Sequence, residues 1–299
     1  MTTEKDITTN NIKSSYEYNE AIVSKVRDTL VRASSTFRED QKSAYSRGIA
    51  KETNETAQWV LETILKNAEI AEKNQSPLCD DTGTPHLILE IGPNKAVTGA
   101  MLDSIREGVR QGLRKLPGRP MAVLGEGAET LDQGLGLDED PGALAAAPFL
   151  IRNTDEDVVR LHVLMLGGGP ALRGKTLHVF HKHNIQTVMD EIVKWAIEET
   201  GLLGCTPSVL AIGIGRSQFE ASSMMMQALI DRNFDEQDEW EQQITDRVNQ
   251  VGVGASALGG NTTVLATFMK IGLQRASGWR VVCLRTCCCF EPRVASVEL

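Results

Sequence analysis

Between residues 16 and 75 apolar side chains recur at helical spacing, first Ile22, Val26 and Leu30, then Ala57, Val60, Leu61, Ile64, Leu65 and Ala68, which predicts two or three amphipathic helices. The period then changes. Leu87 to Ile91 is a short apolar run of the kind a buried strand presents, and Met101 to Leu113 returns to the helical period until Pro117 and Pro120 forbid its continuation. Val158 to Leu166 predicts a second strand, which runs straight into Gly167-Gly168-Gly169. A helix over Asn184–Thr200, an apolar strand over Ser208–Gly215, helices near 217–231 and 236–250, and a strand-like segment ending in a cysteine cluster complete the pattern. Helical stretches alternating with buried strands predict a mixed α/β fold, with a helical N-terminal portion packed on a mixed-sheet domain. Residues 125–148, rich in Gly, Asp and Ala, predict an irregular surface loop, with a mobile lid as its alternative.

With 299 residues, 41% of them hydrophobic, the chain can bury a full core. Residues 1–15 are polar and predict a flexible tail, which leaves 16–299 as one catalytic-sized domain. The formal charge of −9 offers no positive field to a phosphate backbone, and no Lys/Arg run interleaves with aromatics, so nucleic acid is set aside. Residues 1–15 show neither an apolar h-region nor an Arg-rich amphipathic pattern, and no apolar run reaches membrane-spanning length; a soluble, cytoplasmic protein is the expectation. In a reducing compartment the six cysteines, Cys79, Cys205, Cys283, Cys287, Cys288 and Cys289, read as thiols, metal ligands or core residues rather than as a disulfide framework.

The candidate chemistry gathers at turns. Cys79, Asp80 and Asp81 sit in a Gly/Pro-rich turn between a helix and a strand, a place that presents side chains to a site; an Asx turn with an incidental cysteine is the plainer reading. Residues 169–176 match G-x-x-x-x-G-K-[ST], so a phosphate loop using Lys175 and Thr176 is a candidate. Its context disagrees, because Thr176 to His181 alternates like a strand where a helix should begin. None of the five histidines, His86, His162, His178, His181 and His183, forms a zinc pair on a helix face. Three separated thiol sites remain: Cys79, Cys205 in a Gly-Cys-x-Pro turn, and one cysteine of the tail. Three thiolates suit a [4Fe–4S] cluster with one iron open to oxygen ligands, whereas four close it for electron transfer.

These motifs resemble the iron–sulfur hydro-lyases, the family of class I fumarate hydratase and L(+)-tartrate dehydratase, in its alpha subunit or N-terminal domain. Cys79-Asp80-Asp81-Thr82-Gly83 is similar to the first ligand motif, in which a Gln usually stands at the place of Asp80. Arg119 before Pro120 resembles the segment whose arginine clamps a substrate carboxylate, and Gly167-Gly168-Gly169 the run whose amides receive one. Gly204-Cys205-Thr206-Pro207 looks like the second ligand motif, and Gly259-Gly260-Asn261-Thr262-Thr263 like the turn before the third. For that third ligand, Cys289 fits the spacing to Arg293, while an ungapped count from Asn261 points to Cys287. The resemblance implies a cluster-binding cleft with Cys79, Cys205 and Cys289 (or Cys287) as ligands. It also implies Asp81 as the active-site carboxylate and Asp80, Arg119, Gly168 and Gly169 as substrate contacts. The implied reaction is reversible dehydration of a C4 2-hydroxy dicarboxylate. A beta-type subunit, in an α2β2 assembly, would bring the proton-abstracting group that this chain lacks. A P-loop nucleotide-binding protein and a cluster-free, non-catalytic homologue are the other readings.

Overall fold

A computed structural model describes residues 17–299; the tail expected over 1–15 lies outside the described residues. Three helices come first, α1 (Glu20–Ser35), α2 (Glu39–Lys51) and α3 (Glu55–Asn74), as the apolar spacing predicts. Asn19 caps α1 and Asn54 caps α3, each accepting two backbone N–H bonds, which satisfies donors that no helical carbonyl can reach. The remaining elements are β1 (Thr84–Ile91), α4 (Gly99–Lys115), β2 (Leu150–Asn153), β3 (Val159–Leu166), a short α5 (Gly168–Arg173), β4 (Lys175–Phe180) and α6 (Ile185–Leu203). They are followed by β5 (Ser208–Gly215), α7 (Gln218–Asp231), α8 (Glu239–Asn249), β6 (Val264–Ile271), β7 (Trp279–Cys287) and β8 (Arg293–Glu298).

The strands form two four-stranded mixed sheets, in the orders β2, β1, β3, β8 and β4, β7, β5, β6. In the first, β1 pairs parallel with β2 and antiparallel with β3; in the second, β5 pairs parallel with β6 and antiparallel with β7. Side-chain alternation sorts each sheet into two apolar faces. Leu87, Leu89, Leu161, Val163 and Met165 pack under α1 and α4, while Leu210, Ile212, Ile214, Val282 and Leu284 pack under α6 and α8. The opposite faces meet in one cluster, where Ile88, Leu164 and Leu166 join Val209, Ala211, Phe268 and Cys283, with Ala221, Met225 and Leu229 of α7 between them. A fourth cluster, with Phe37, Tyr45, Leu61, Leu78 and Cys289, ties the N-terminal helices to the end of the chain.

Residues 125–148 form a loop with two short 3-10 turns, in keeping with the loop expectation. The phosphate-loop expectation fails. The glycine run leads into a single short helix, and Lys175 opens a strand rather than a helix, so no amide ring faces a phosphate. Lys175 is instead paired to Glu198 and Glu199.

Candidate functional site

Three cysteine-bearing turns come together. α3 ends at Gln75 in a left-handed conformation, with Ser76 donating back to the Ala71 carbonyl. The chain then docks through Leu78, which is buried in the helical cluster, donates its N–H to the Ser34 carbonyl and accepts from Asn67 Nδ2 at 3.1 Å. Cys79 is thus carried on an anchored residue. Cys205 follows Gly204, the C-cap of α6, and is held from behind by buried Thr206, whose hydroxyl donates to the Gly254 carbonyl at 2.6 Å and accepts from Ala257 N–H at 3.1 Å. β7 ends at Cys287, and two residues on the Cys289 N–H donates to the Cys205 carbonyl at 2.8 Å. The hydroxyl of buried Tyr45 donates to the Cys289 carbonyl.

Cys79 lies close enough to Cys205 and Cys289 for its charge to bear on both of their thiols. Burial, then the neighbouring Cys79 and Asp81, pushes the Cys205 thiol up; burial, then Cys288, Cys205 and Cys79, pushes Cys289 up. Burial also drives Cys288 up to about 12. Only a cation among them would favour the thiolates. Among the described residues, no three Cys, His, Asp or Glu side chains are grouped to hold a metal ion. Each thiol of a cuboidal cluster binds a different iron, so its ligands are spread more widely than those of one ion. Cys287, the alternate third ligand, is fully buried in the core between the sheets, opposite Val209. Cys289 takes the place beside Cys205.

Beside the thiols lies a polar assembly that sequence reasoning caught only in part. Asp81 accepts the Gly168 N–H through Oδ2 at 2.7 Å, and its other oxygen is buried without a partner. A Cβ at Gly167 would lie 2.8 Å from Asp81 Oδ2, so any larger residue there would push the Asp81 carboxylate aside. Gly83, at φ +85°, turns the chain so tightly that a Cβ would lie 2.7 Å from Arg293 Nη2. Arg293 is 1% exposed and donates to the carbonyls of Asp81 and Thr82, at 2.7 and 3.0 Å. Arg285 and Glu291, both buried and neither singled out from the sequence, form an ion pair at 3.0 Å. Toward solvent, Arg119 Nη1 lies 3.0 Å from Asp80 Oδ2. Gly168 therefore already has an acceptor, whereas the Cβ position of Gly169 faces open space. His86 and His162 lie on β1 and β3, and His178 and His181 on or beside β4.

The chain has relatives among known proteins. The chain is 29% identical over 268 residues to a Methanocaldococcus jannaschii protein provisionally named L(+)-tartrate dehydratase subunit alpha, covering 86% of this chain and 90% of that one. It is 23% identical over 236 residues to the L(+)-tartrate dehydratase subunit alpha of Escherichia coli strain K12, covering 76% and 74%. The sequence profile described as fumarate hydratase (Fumerase) matches residues 23–298, and with nearly the whole described chain inside that match, the protein belongs to the fumarate hydratase family of hydro-lyases.

Proposed function

We propose that this chain is the cluster-bearing subunit of a [4Fe–4S]-dependent hydro-lyase that reversibly dehydrates a C4 2-hydroxy dicarboxylate, L-tartrate to oxaloacetate or malate to fumarate. One observation carries the reading: three cysteines from three separate turns converge, with Cys289 fixed to Cys205 through its backbone. This donor set fits the group. Three soft sulfurs, those of Cys205 and Cys289 unfavourable as bare thiolates, suit an iron–sulfur cluster held by Cys79, Cys205 and Cys289. When bound, such a cluster supplies a Lewis-acidic iron with an open position.

The chain's own residues would do the rest. Asp81, oriented by the Gly168 amide, presents a free carboxylate oxygen to the proton traffic of the departing water. Arg119 offers a planar fork to a substrate carboxylate, which must draw it away from Asp80. Gly169, and Gly168 when Asp81 yields its amide, would receive the other carboxylate. Anti elimination also needs a base on the opposite face of the substrate, and Asp80 and Asp81 both adjoin a proposed ligand. The relatives' names include the words "subunit alpha". We place the missing base on a beta-type partner, in an α2β2 assembly whose interface covers the thiols.

The test is anaerobic reconstitution with iron and sulfide, followed by assay of C4 hydroxy acids with and without a beta-type subunit. A brown protein that turns over one of these acids only with its partner is expected. A colourless protein after reconstitution, or full turnover by the chain alone, would defeat the proposal.

A further inference from the structure

The peptide at Gly167 is held on both sides by one buried ion pair. Its N–H donates to Glu291 Oε1 at 2.6 Å, and its carbonyl accepts from Arg285 Nη2 at 2.9 Å. Arg285 in turn reaches both Glu291 oxygens, at 3.0 and 3.2 Å through Nη2 and at 3.3 Å through Nε. Glu291 is fully buried, and Arg285 is 7% exposed. A pair so placed adds little net stability, because desolvating two charges offsets most of their attraction, so stability alone does not explain it. What the pair does is fix the two peptide planes that meet at Gly167, Glu291 the Leu166–Gly167 plane through its N–H and Arg285 the Gly167–Gly168 plane through its carbonyl. The next amide along, Gly168 N–H, is the one that holds Asp81 Oδ2 at 2.7 Å. Were the Gly167 peptide free to rotate, that N–H would swing away and Asp81 would lose the bond that sets its rotamer. From the other side Arg293, 3.8 Å from Glu291, grips the backbone carbonyls of Asp81 and Thr82.

We propose that Arg285 and Glu291 are positioning residues that act through the two peptides flanking Gly167 to hold the Asp81 carboxylate in its working orientation. The proposal rests on the dehydratase reading of Asp81. Neither residue touches the substrate, and neither is a ligand of the cluster. Lysine cannot replace Arg285, because one ammonium cannot span two carboxylate oxygens and a carbonyl with the same planar fork.

The experiment compares the reconstituted complex with its Arg285→Lys form and with an Arg285→Met/Glu291→Leu double variant, which removes both charges together and so avoids leaving one buried alone. Two readouts are taken, amide hydrogen exchange over residues 164–172 and steady-state kinetics. Exchange at Gly167 and Gly168 should speed up about tenfold or more in both variants while the buried strand 208–215 is unchanged. The turnover number should fall roughly 10- to 100-fold with KM altered less than about threefold, as expected when a catalytic group is misplaced while substrate binding is left intact. The visible cluster absorbance should persist in both. Unchanged exchange at the glycines overturns the proposal, and so does wild-type turnover in a variant whose glycines exchange fast. A wild-type complex that dehydrates no hydroxy acid removes the dehydratase reading and this proposal together, whereas an active wild type with unaltered variants removes the proposal alone.

Discussion

Two regions of the molecule bury charge, and they treat it differently. On the first sheet Glu90 meets Arg152 at 2.5 Å, Arg160 at 3.1 Å and His162 at 3.3 Å, while Arg152 also meets Asp231 at 2.7 Å. Lys270 closes the network on Asp231, so β1, β2 and β3 are tied to α7 and to β6 of the second sheet. Each arginine and lysine head there meets a carboxylate, and His162 Nε2 alone, 3.3 Å from Glu90, is buried without a hydrogen bond. At the thiol turns the charges are used on backbone instead: Arg293 holds two carbonyls, and Arg285 with Glu291 holds a glycine peptide. Asp81 Oδ1, Thr82 Oγ1 and Arg293 Nε remain buried without partners. Leaving such atoms unmade costs about 1–3 kcal/mol each, a burden that folding alone gives no reason to carry. The closed network joins parts of the fold; the open one keeps polar atoms in hand beside the thiols.

The largest expected effect breaks the open region. Cys79→Ser, Cys205→Ser and Cys289→Ser should each abolish the visible iron–sulfur absorbance after anaerobic reconstitution, while Cys283→Ser and Cys287→Ser, both in the core, should keep it. Iron content and absorbance together decide this, and full loading of any of the first three variants would remove that residue from the ligand set.

Breaking the closed region should cost stability and leave chemistry alone. Glu90→Ala takes one carboxylate from Arg152, Arg160 and His162 but leaves Arg152 on Asp231 and Arg160 on Glu156 and Glu298, so its cost should be about 1–3 kcal/mol, that of unmade buried hydrogen bonds rather than of an orphaned charge. Acidification should act in the same direction. Burial favours the neutral acid of Glu90, but Arg152 and His162 outweigh it and hold its pKa below the ordinary value; burial likewise holds His162 low. Both shifts are depressions, so the stability they contribute is present above the unfolded pKa values and is lost as pH falls through them. The unfolding midpoint should therefore begin to drop near pH 6.5, where an unfolded histidine gains its proton, and drop further near pH 4. In Glu90→Ala the lower step should shrink, and an identical pH profile would deny Glu90 its role.

The sequence announced the longer helices, the strands β1, β3, β5 and β7 and all three thiol turns, but not β6 or the short α5; each of those announced carries a local signal, an amphipathic period, an apolar run, or a cysteine beside Gly and Pro. Choosing between Cys287 and Cys289 needed the structure. β7 continues through Cys287, whose side chain alternates into the core, and only beyond the strand's end is a side chain released toward the other thiols. β2 and β8 escaped notice because they are short, four and six residues, and half-exposed. Arg285 and Glu291 escaped for another reason. An arginine on a strand reads as a solvent-facing residue, and the peptide it holds is 118 positions away, a distance that no local pattern reports. The glycine run also matched a phosphate loop, which its strand-like continuation argued against; closeness of backbone is legible in glycines while the thing approached is not, and here it is Asp81.

The smallest effect expected is at Arg119, at the solvent-facing margin of the open region. Its guanidinium is 54% exposed and its partner Asp80 is 83% exposed, so water screens the pair and its loss should hardly change folding. Arg119→Lys keeps the charge but not the fork, and a substrate carboxylate would then be held by one directional contact rather than two. Screening at so open a place limits the change to roughly a 3- to 10-fold rise in KM for a dicarboxylate, with little effect on the thermal midpoint. Asp80→Asn sharpens the point in the opposite sense. It frees Arg119 from a standing competitor and removes a negative charge that repels the substrate, so KM should fall by a factor of about 3, and the fall should lessen as salt screens the repulsion. The pair of variants moving KM in opposite directions at constant stability would place Arg119 at the substrate. An unchanged KM in Arg119→Lys would make it a surface residue, and the carboxylate would then have to be held elsewhere.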